Sequence, residues 1–227
     1  LDKKGDGVQP DGEVDQEEEE MSYKKHFHQA IREQFPADHR QLCEAIEARY
    51  QAIFPDVAFA RSSPNPIDKR LEFSAYFLAT AQLLEQRGET FDAIRQICLD
   101  ITHALVHPKN GLHAWLKRLP VQIIRSPLGK LLTRFMEKKT TKLGHPDGFR
   151  VNMITDPALT FGLGYGIDIM ECGICKLFNK HGAAKYASIL CEVDKLTASL
   201  AGLEMVRSGT IAGGADKCDF RWKAIKS

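Results

Sequence analysis

The sequence has no uninterrupted apolar run long enough to span a bilayer, almost no net charge, no repeat of fixed period and almost no apolar content in its first twenty residues. The most apolar stretch, "FSAYFLATAQLL" from Phe73, is broken by polar residues well before the roughly 18 to 20 residues a membrane span needs. No transmembrane helix is expected. A formal net charge of +1 on 227 residues gives no global field to draw the chain to nucleic acid, so nucleic acid is not an expected partner. The N-terminus shows no basic segment followed by an apolar one, and no secretory signal is read there. Six cysteines, scattered except for one C-x2-C, point to reduced thiols in the cytoplasm rather than to a secreted disulfide framework. The opening "LDKKGDGVQPDGEVDQEEEE" cannot bury enough surface to offset its ordering entropy. Residues 1–21 are therefore expected to be a disordered acidic tail or an upstream remnant.

What is present suffices for a substantial core: 43% of the residues are hydrophobic and 27% charged. From residue 22 to 147 the pattern is helical. Leu42, Ile46, Tyr50 and Ile53 recur at helical spacing, as do Ile94, Ile97, Cys98, Ile101 and Leu105. Between them, Ile67 to Gly88 predicts a more thoroughly buried helix. Ser126 and Pro127 open another, which Gly144 ends. About five helices are expected in this half.

From residue 148 to 227 the period changes. "FRVNMIT" and "YGIDIME" alternate as strands, a broken helix runs from about Gly173 to Leu200, and "LEMVRSGTI" and "CDFRWKAI" flank "AGGADK" as a hairpin. The fold class expected is α+β: an antiparallel strand-strand-helix-strand-strand unit packed with the N-terminal helices as one compact domain.

Three groups of residues carry candidate chemistry. On the last strand, Cys218, Phe220 and Trp222 share the inward face. Gly213 and Gly214, beside Thr210, either offer backbone N–H groups to an oxyanion or carboxylate, or simply satisfy a turn. On the late helix, Ala187, Cys191, Asp194 and Ala198 form a stripe of small residues beside the main apolar stripe of Tyr186, Ile189, Leu190, Val193 and Leu200. Cys191 and Asp194 can act there as nucleophile and base, or as base and orienting group; the alternative is a buried inert cysteine next to a surface aspartate. Cys172, Cys175, His181 and Cys191 are soft ligands, but no second close pair completes a zinc site. Adding Cys218 matches no compact iron–sulfur spacing. No cofactor is expected, with zinc as the alternative. His103 and His107 lie four apart but lack the glutamate of the zinc-protease motif. The basic set from Lys130 to Lys142 opposes Leu128, Leu131, Leu132, Phe135 and Met136, which suits a solvated helix face or an anionic membrane surface.

The run C-x2-C-x5-H-G from Cys172, then "LCEVD", then "TIAGGADKCDF" resembles the L-2-amino-thiazoline-4-carboxylic acid hydrolase family over residues 148–222. The resemblance implies hydrolysis of a small sulfur- and nitrogen-containing ring in a carboxylated substrate, giving an N-carbamoyl cysteine in the named reaction. The matching positions are Cys172, Cys191, Asp194, Thr210, Gly214, Cys218 and Phe220. With it, a Cys191 thiolate, or a water activated by Asp194, is expected to attack the ring carbon. Cys218 is a further candidate catalytic thiol, Cys172 and Thr210 are candidate substrate contacts, the Gly213 and Gly214 amides stabilise charge, Arg207 pairs with the substrate carboxylate and His181 moves a proton. The rival reading is a non-catalytic small-molecule or metal-binding sensor or accessory domain. The sequence carries no signature of an oligomeric state.

Overall fold

A computed structural model describes residues 11–106 and 144–225, with side chains from Tyr23 onward. Among the described residues the helices are α1 (Asp11–Gln34), α2 (His39–Ile53), α3 (Arg70–Gln86), α4 (Phe91–Val106), α5 (Gly173–Lys180) and α6 (Ala187–Leu200). The strands are β1 (Arg150–Ile154), β2 (Gly166–Glu171), β3 (Leu203–Val206) and β4 (Cys218–Ala224). They form one antiparallel sheet in the order β1-β2-β4-β3. The α+β expectation holds. No helix among the described residues is long and apolar enough to cross a membrane.

α1 starts at Asp11 and carries in helical backbone the acidic run expected to lie in a tail over residues 1–21. Two effects favour this. Glutamate is a good helix former and carboxylates near a helix N-terminus complement its dipole. Further along the same helix, Tyr23, Phe27 and Ile31 are buried at helical spacing and anchor it in the core. The helix expected after Ser126, its basic face and His107 lie outside the described residues.

α2 buries Leu42, Ile46, Tyr50 and Ile53, the spacing read from the sequence. α3 buries ten of its 17 residues, on nearly every side, which makes it the central helix. It stops at Gly88, whose φ of 89° suits glycine, while Glu89 N–H donates to the Leu84 carbonyl and Gly88 N–H to that of Glu85. α5 ends in the same way at Gly182, φ 68°, with Ala183 N–H donating to Phe178 and Gly182 N–H to Asn179. That turn is the break expected in the long helix.

The two halves share one hydrophobic cluster, from Phe27 and Tyr76 through Phe77 and Phe178 to Leu190 and Phe220. A polar latch also joins them. Asn65 and Asp68 sit in a 3-10 turn, Pro66–Lys69 with Asn65 as its cap, immediately before α3, and both are fully buried. Asn65 Nδ2 donates to the Phe149 carbonyl at 3.0 Å, and the Phe149 N–H donates to Asp68 Oδ1 at 2.8 Å. A Cβ on Gly148 would come within 2.8 Å of that carboxylate, so only glycine lets the chain pass this closely. The latch fixes the start of α3, and with it Arg70, beside the sheet.

Candidate functional site

The chain leaves β2 at Glu171 and turns at Cys172, the N-cap of α5, with φ −103° and ψ 110°. Gly173 opens the helix where a Cβ would lie 3.0 Å from the Asp147 carbonyl and 3.1 Å from Leu71. Glycine therefore allows the helix end to seat against α3. Lys176 holds this end down, donating to the Pro146 carbonyl at 2.6 Å and to Glu171 Oε2 at 2.5 Å.

Cys172, Cys175, Cys191 and Cys218 all line one small cavity of about 20 Å³, together with Arg70 and Asp194. Cys191 and Asp194 reach it because the small-residue stripe of α6, with Ala187, faces it. Cys218 reaches it from β4, opposite Ile169 of β2, as the inward face of that strand implies. Beside this cavity lies a larger, mainly apolar cleft of about 880 Å³, and Arg70, Ile169, Ile174, Leu190, Asp194 and Phe220 border both. The Arg70–Asp194 pair is thus part of the wall between thiols and cleft.

The four thiols are not equivalent. The Cys172 sulfur lies at the start of α5 beside the Cys175 thiol and the N–H groups of Cys175 and Ile174, and faces the charge of Arg70. These favour the thiolate and, against the opposing effect of burial, lower its pKa to about 7. Cys175, beside that sulfur and partly buried, is pushed up. Cys191 is pushed up to about 11, by burial first and then by the Asp194 charge. Cys218 is raised by burial, although its sulfur accepts the Ile211 N–H at 3.2 Å.

Asp194, which is 12% exposed, accepts from Arg70 Nη2 at 2.5 Å and from Arg207 Nη1 at 3.4 Å. The oxygens of this carboxylate, expected to act as base for a water or for Cys191, meet two guanidinium groups. Arg207 follows β3 and is 5% exposed. Its Nη2 donates to the Cys191 carbonyl at 2.8 Å, and its guanidinium lies 5.0 Å from the Phe220 ring centre. Arg207, expected to pair with the substrate carboxylate, is engaged here by α6 and by packing. The open arginine is Arg70, 44% exposed and bordering the cleft.

Gly213 and Gly214, read as either a cradle or a turn, lie in a turn. Thr210 caps a 3-10 turn, Ile211–Gly213, in which Gly213 N–H donates to the Thr210 carbonyl and to Thr210 Oγ1, both at 3.0 Å. Gly214, at φ 90°, donates to the Ile211 carbonyl. Both amides are consumed within the turn, and neither Thr210 nor these glycines line the cavity. A carboxylate cradle does exist just upstream, and the protein fills it itself. Ser208 and Gly209 N–H groups donate to the Asp219 carboxylate at 3.0 to 3.2 Å. Although burial opposes it most, these bonds and that of the Ser208 hydroxyl hold Asp219 below the usual carboxylate range.

His181 stands at the far end of α5 from Cys172. Its Nε2 meets Asp56 Oδ2 at 2.9 Å, and Lys180 Nζ meets Oδ1 of the same carboxylate at 2.9 Å. It does not line the cavity; in this structure it ties α5 to the turn after α2. Among the described residues no three His, Cys, Asp or Glu side chains are arranged to hold a metal ion.

Sequence reasoning missed Arg70, which lies in the helical half and belongs to no motif. It also missed Asp168, 5% exposed on β2, which accepts from Lys217 Nζ at 2.6 Å and Arg221 Nη2 at 2.8 Å. The signal for Asp168 was available: alternation puts it opposite Asp219 on the neighbouring strand, where two carboxylates need cations nearby.

The resemblance read from the motifs is borne out, since residues 126–222 match the family model of the L-2-amino-thiazoline-4-carboxylic acid hydrolases. The matched span contains all four cavity thiols and Asp194 and leaves out Arg70. No curated protein and no solved structure matches the chain.

Proposed function

We propose that the protein is a cysteine-dependent hydrolase that opens a small sulfur- and nitrogen-containing ring in a carboxylated substrate, with Cys172 as its nucleophile. The observation that carries this reading is the sharing of one cavity by a thiol lowered to about 7, a protonated thiol and an Arg–Asp pair. The family match supplies the reaction class. The substrate carboxylate draws Arg70 away from Asp194, which opens the thiol cavity to the cleft, and Asp194 then faces the amidine nitrogens.

The thiolate of Cys172 attacks the ring carbon between sulfur and nitrogen. The carbon–sulfur bond of the ring breaks, and the expelled sulfur takes the Cys175 proton. The substrate is now joined to Cys172 as an isothiouronium. Water attacks the same carbon and Cys172 leaves as thiolate; one water proton returns to Cys175 and the other passes to solvent. The product is a carbamoylated amino thiol. Ile174 and Cys175 N–H groups hold the charge of Cys172 in both its resting and its departing state, a fixed dipolar environment of the kind that lowers such barriers. Retention of reduced thiols suits a cytoplasmic setting.

The test is thiol release from 2-amino-thiazoline-4-carboxylate and related heterocyclic carboxylates, with mass spectrometry of the protein during turnover. Wild type releases one thiol per ring and shows an adduct on Cys172, and Cys172→Ala does neither. Turnover by Cys172→Ala with loss in Cys191→Ala would transfer the nucleophile to Cys191. No thiol release by wild type from any such ring would overturn the hydrolase reading.

A further inference from the structure

Cys172, the N-cap of α5, and Cys175, in its first turn, stand on the wall of the same small cavity. That spacing within one turn brings the two side chains together on one wall, the approach from which an S–S bond forms without large backbone movement. The helix end and the charge of Arg70 favour the thiolate of Cys172, whereas the surroundings of Cys175 favour its proton. Oxidation of a dithiol needs that division: one thiolate to react and one neighbour to resolve. The cavity, at about 20 Å³, has room for a molecule the size of water or hydrogen peroxide and none for a peptide disulfide. Cys218 and Cys191 share the wall but lack the charge-stabilising helix end, and both are raised rather than lowered.

We propose that Cys172 and Cys175 form a peroxide-sensitive dithiol site, in which hydrogen peroxide oxidises Cys172 and Cys175 resolves the product to an intramolecular disulfide. The Cys172 thiolate attacks one peroxide oxygen, the O–O bond breaks, and the departing hydroxide takes a proton to become water. The Cys175 sulfur then gives up its proton and attacks the Cys172 sulfur, and the sulfenic hydroxyl leaves as a second water. Two thiols lose two electrons and the peroxide gains them. This inference needs only the dithiol geometry, so it stands or falls separately from the ring-opening chemistry.

Trypsin makes the test direct, because Val151–Lys176 carries Cys172 and Cys175 alone, Gln41–Arg49 carries Cys43, Tyr186–Lys195 carries Cys191 and Cys218–Arg221 carries Cys218. The full chain is treated with hydrogen peroxide at neutral pH, quenched in acid, denatured and alkylated. The expected result is a Val151–Lys176 peptide lighter by two hydrogens and free of alkyl groups, at exposures that leave Gln41–Arg49 fully alkylated. The rate should exceed that of Cys43 by roughly tenfold or more, from the larger thiolate fraction. Cys175→Ser should accumulate a dimedone-reactive sulfenic acid on Cys172, and Cys172→Ser should leave Cys175 alkylatable. The wild-type arm decides even if a variant misfolds. Double alkylation of Val151–Lys176 while Gln41–Arg49 oxidises would overturn the proposal, as would a disulfide joining it to Tyr186–Lys195 or Cys218–Arg221.

Discussion

In the helical half, Phe27, Tyr50 and Tyr76 meet ring against ring, with centroids 5.0 Å apart for Phe27–Tyr76 and 5.2 Å for Tyr50–Tyr76. In the sheet half, the space beside Ile169 and Leu190 is bordered instead by four thiols, an arginine and an aspartate. The first arrangement gains area burial and edge-to-face contacts. The second gives up close apolar packing and leaves a thiolate-prone cysteine beside a small void. Stability and chemistry should therefore separate along the chain: substitutions in the aromatic cluster should lower the folded fraction, and substitutions around the cavity should lower turnover.

The largest expected effect is that of Cys172→Ala, which should abolish ring-opening turnover while shifting the melting temperature only slightly, because a small buried side chain is exchanged for a smaller one. Steady-state kinetics with thermal unfolding checks it. A large fall in melting temperature with turnover intact would reverse the comparison. Next comes Phe27→Ala, which empties a fully buried site and should cost about 3–5 kcal/mol in urea unfolding. The kcat per folded molecule should not change; if it does, the aromatic cluster shapes the site as well as supporting it.

Arg70 joins the two regions, since it starts α3 and pairs with Asp194 of α6. Arg70→Gln should raise KM by about 10- to 100-fold, the loss of one charge-assisted hydrogen bond to a carboxylate, with a smaller change in kcat. A change confined to kcat would mean that Arg70 positions Asp194 and does not bind substrate. A smaller, graded effect is the pH dependence of Cys172 alkylation. The folded pKa is lowered from the ordinary 9.0 to about 7, so the rate should rise with pH and reach half its maximum near 7. The linked stabilisation is fully present above the ordinary thiol pKa and is lost as pH falls through about 7. Iodoacetamide kinetics followed on peptide Val151–Lys176 reads this directly, and a midpoint near 9 would remove the case for Cys172 as nucleophile. The smallest effect is expected for Cys43→Ser, on α2 and away from the cavity. Turnover should not change within error, and a large loss would place the chemistry in the helical half.

Much of the fold was legible because burial imposes a period. The stripes of α2, α4 and α6, the alternation of β4, and the breaks at Gly182 and Gly202 all follow from which side chains must leave water and which backbone turns favour glycine. The β3–β4 hairpin forms as expected, but the form of its connection, 207–217, was less legible for the opposite reason. Little of it is deeply buried, so its pattern gives no period, and the connection carries a turn capped by Thr210 and a carboxylate bound by Ser208 and Gly209.

The same division holds at the site. Sequence by itself determined that Cys191 and Asp194 share a helix face, that Cys218 points inward, and that Cys172 and Cys175 are three residues apart, because these follow from local geometry. Only the tertiary structure decided which thiol has surroundings that favour the thiolate. A thiol's acidity depends on the N–H groups, charges and burial around its sulfur, and those around Cys172 come from the start of α5 and from Arg70, about a hundred residues earlier in the chain. The two arginines that meet Asp194 were likewise not legible, since long-range pairing is set by packing of the two halves and not by spacing along either one.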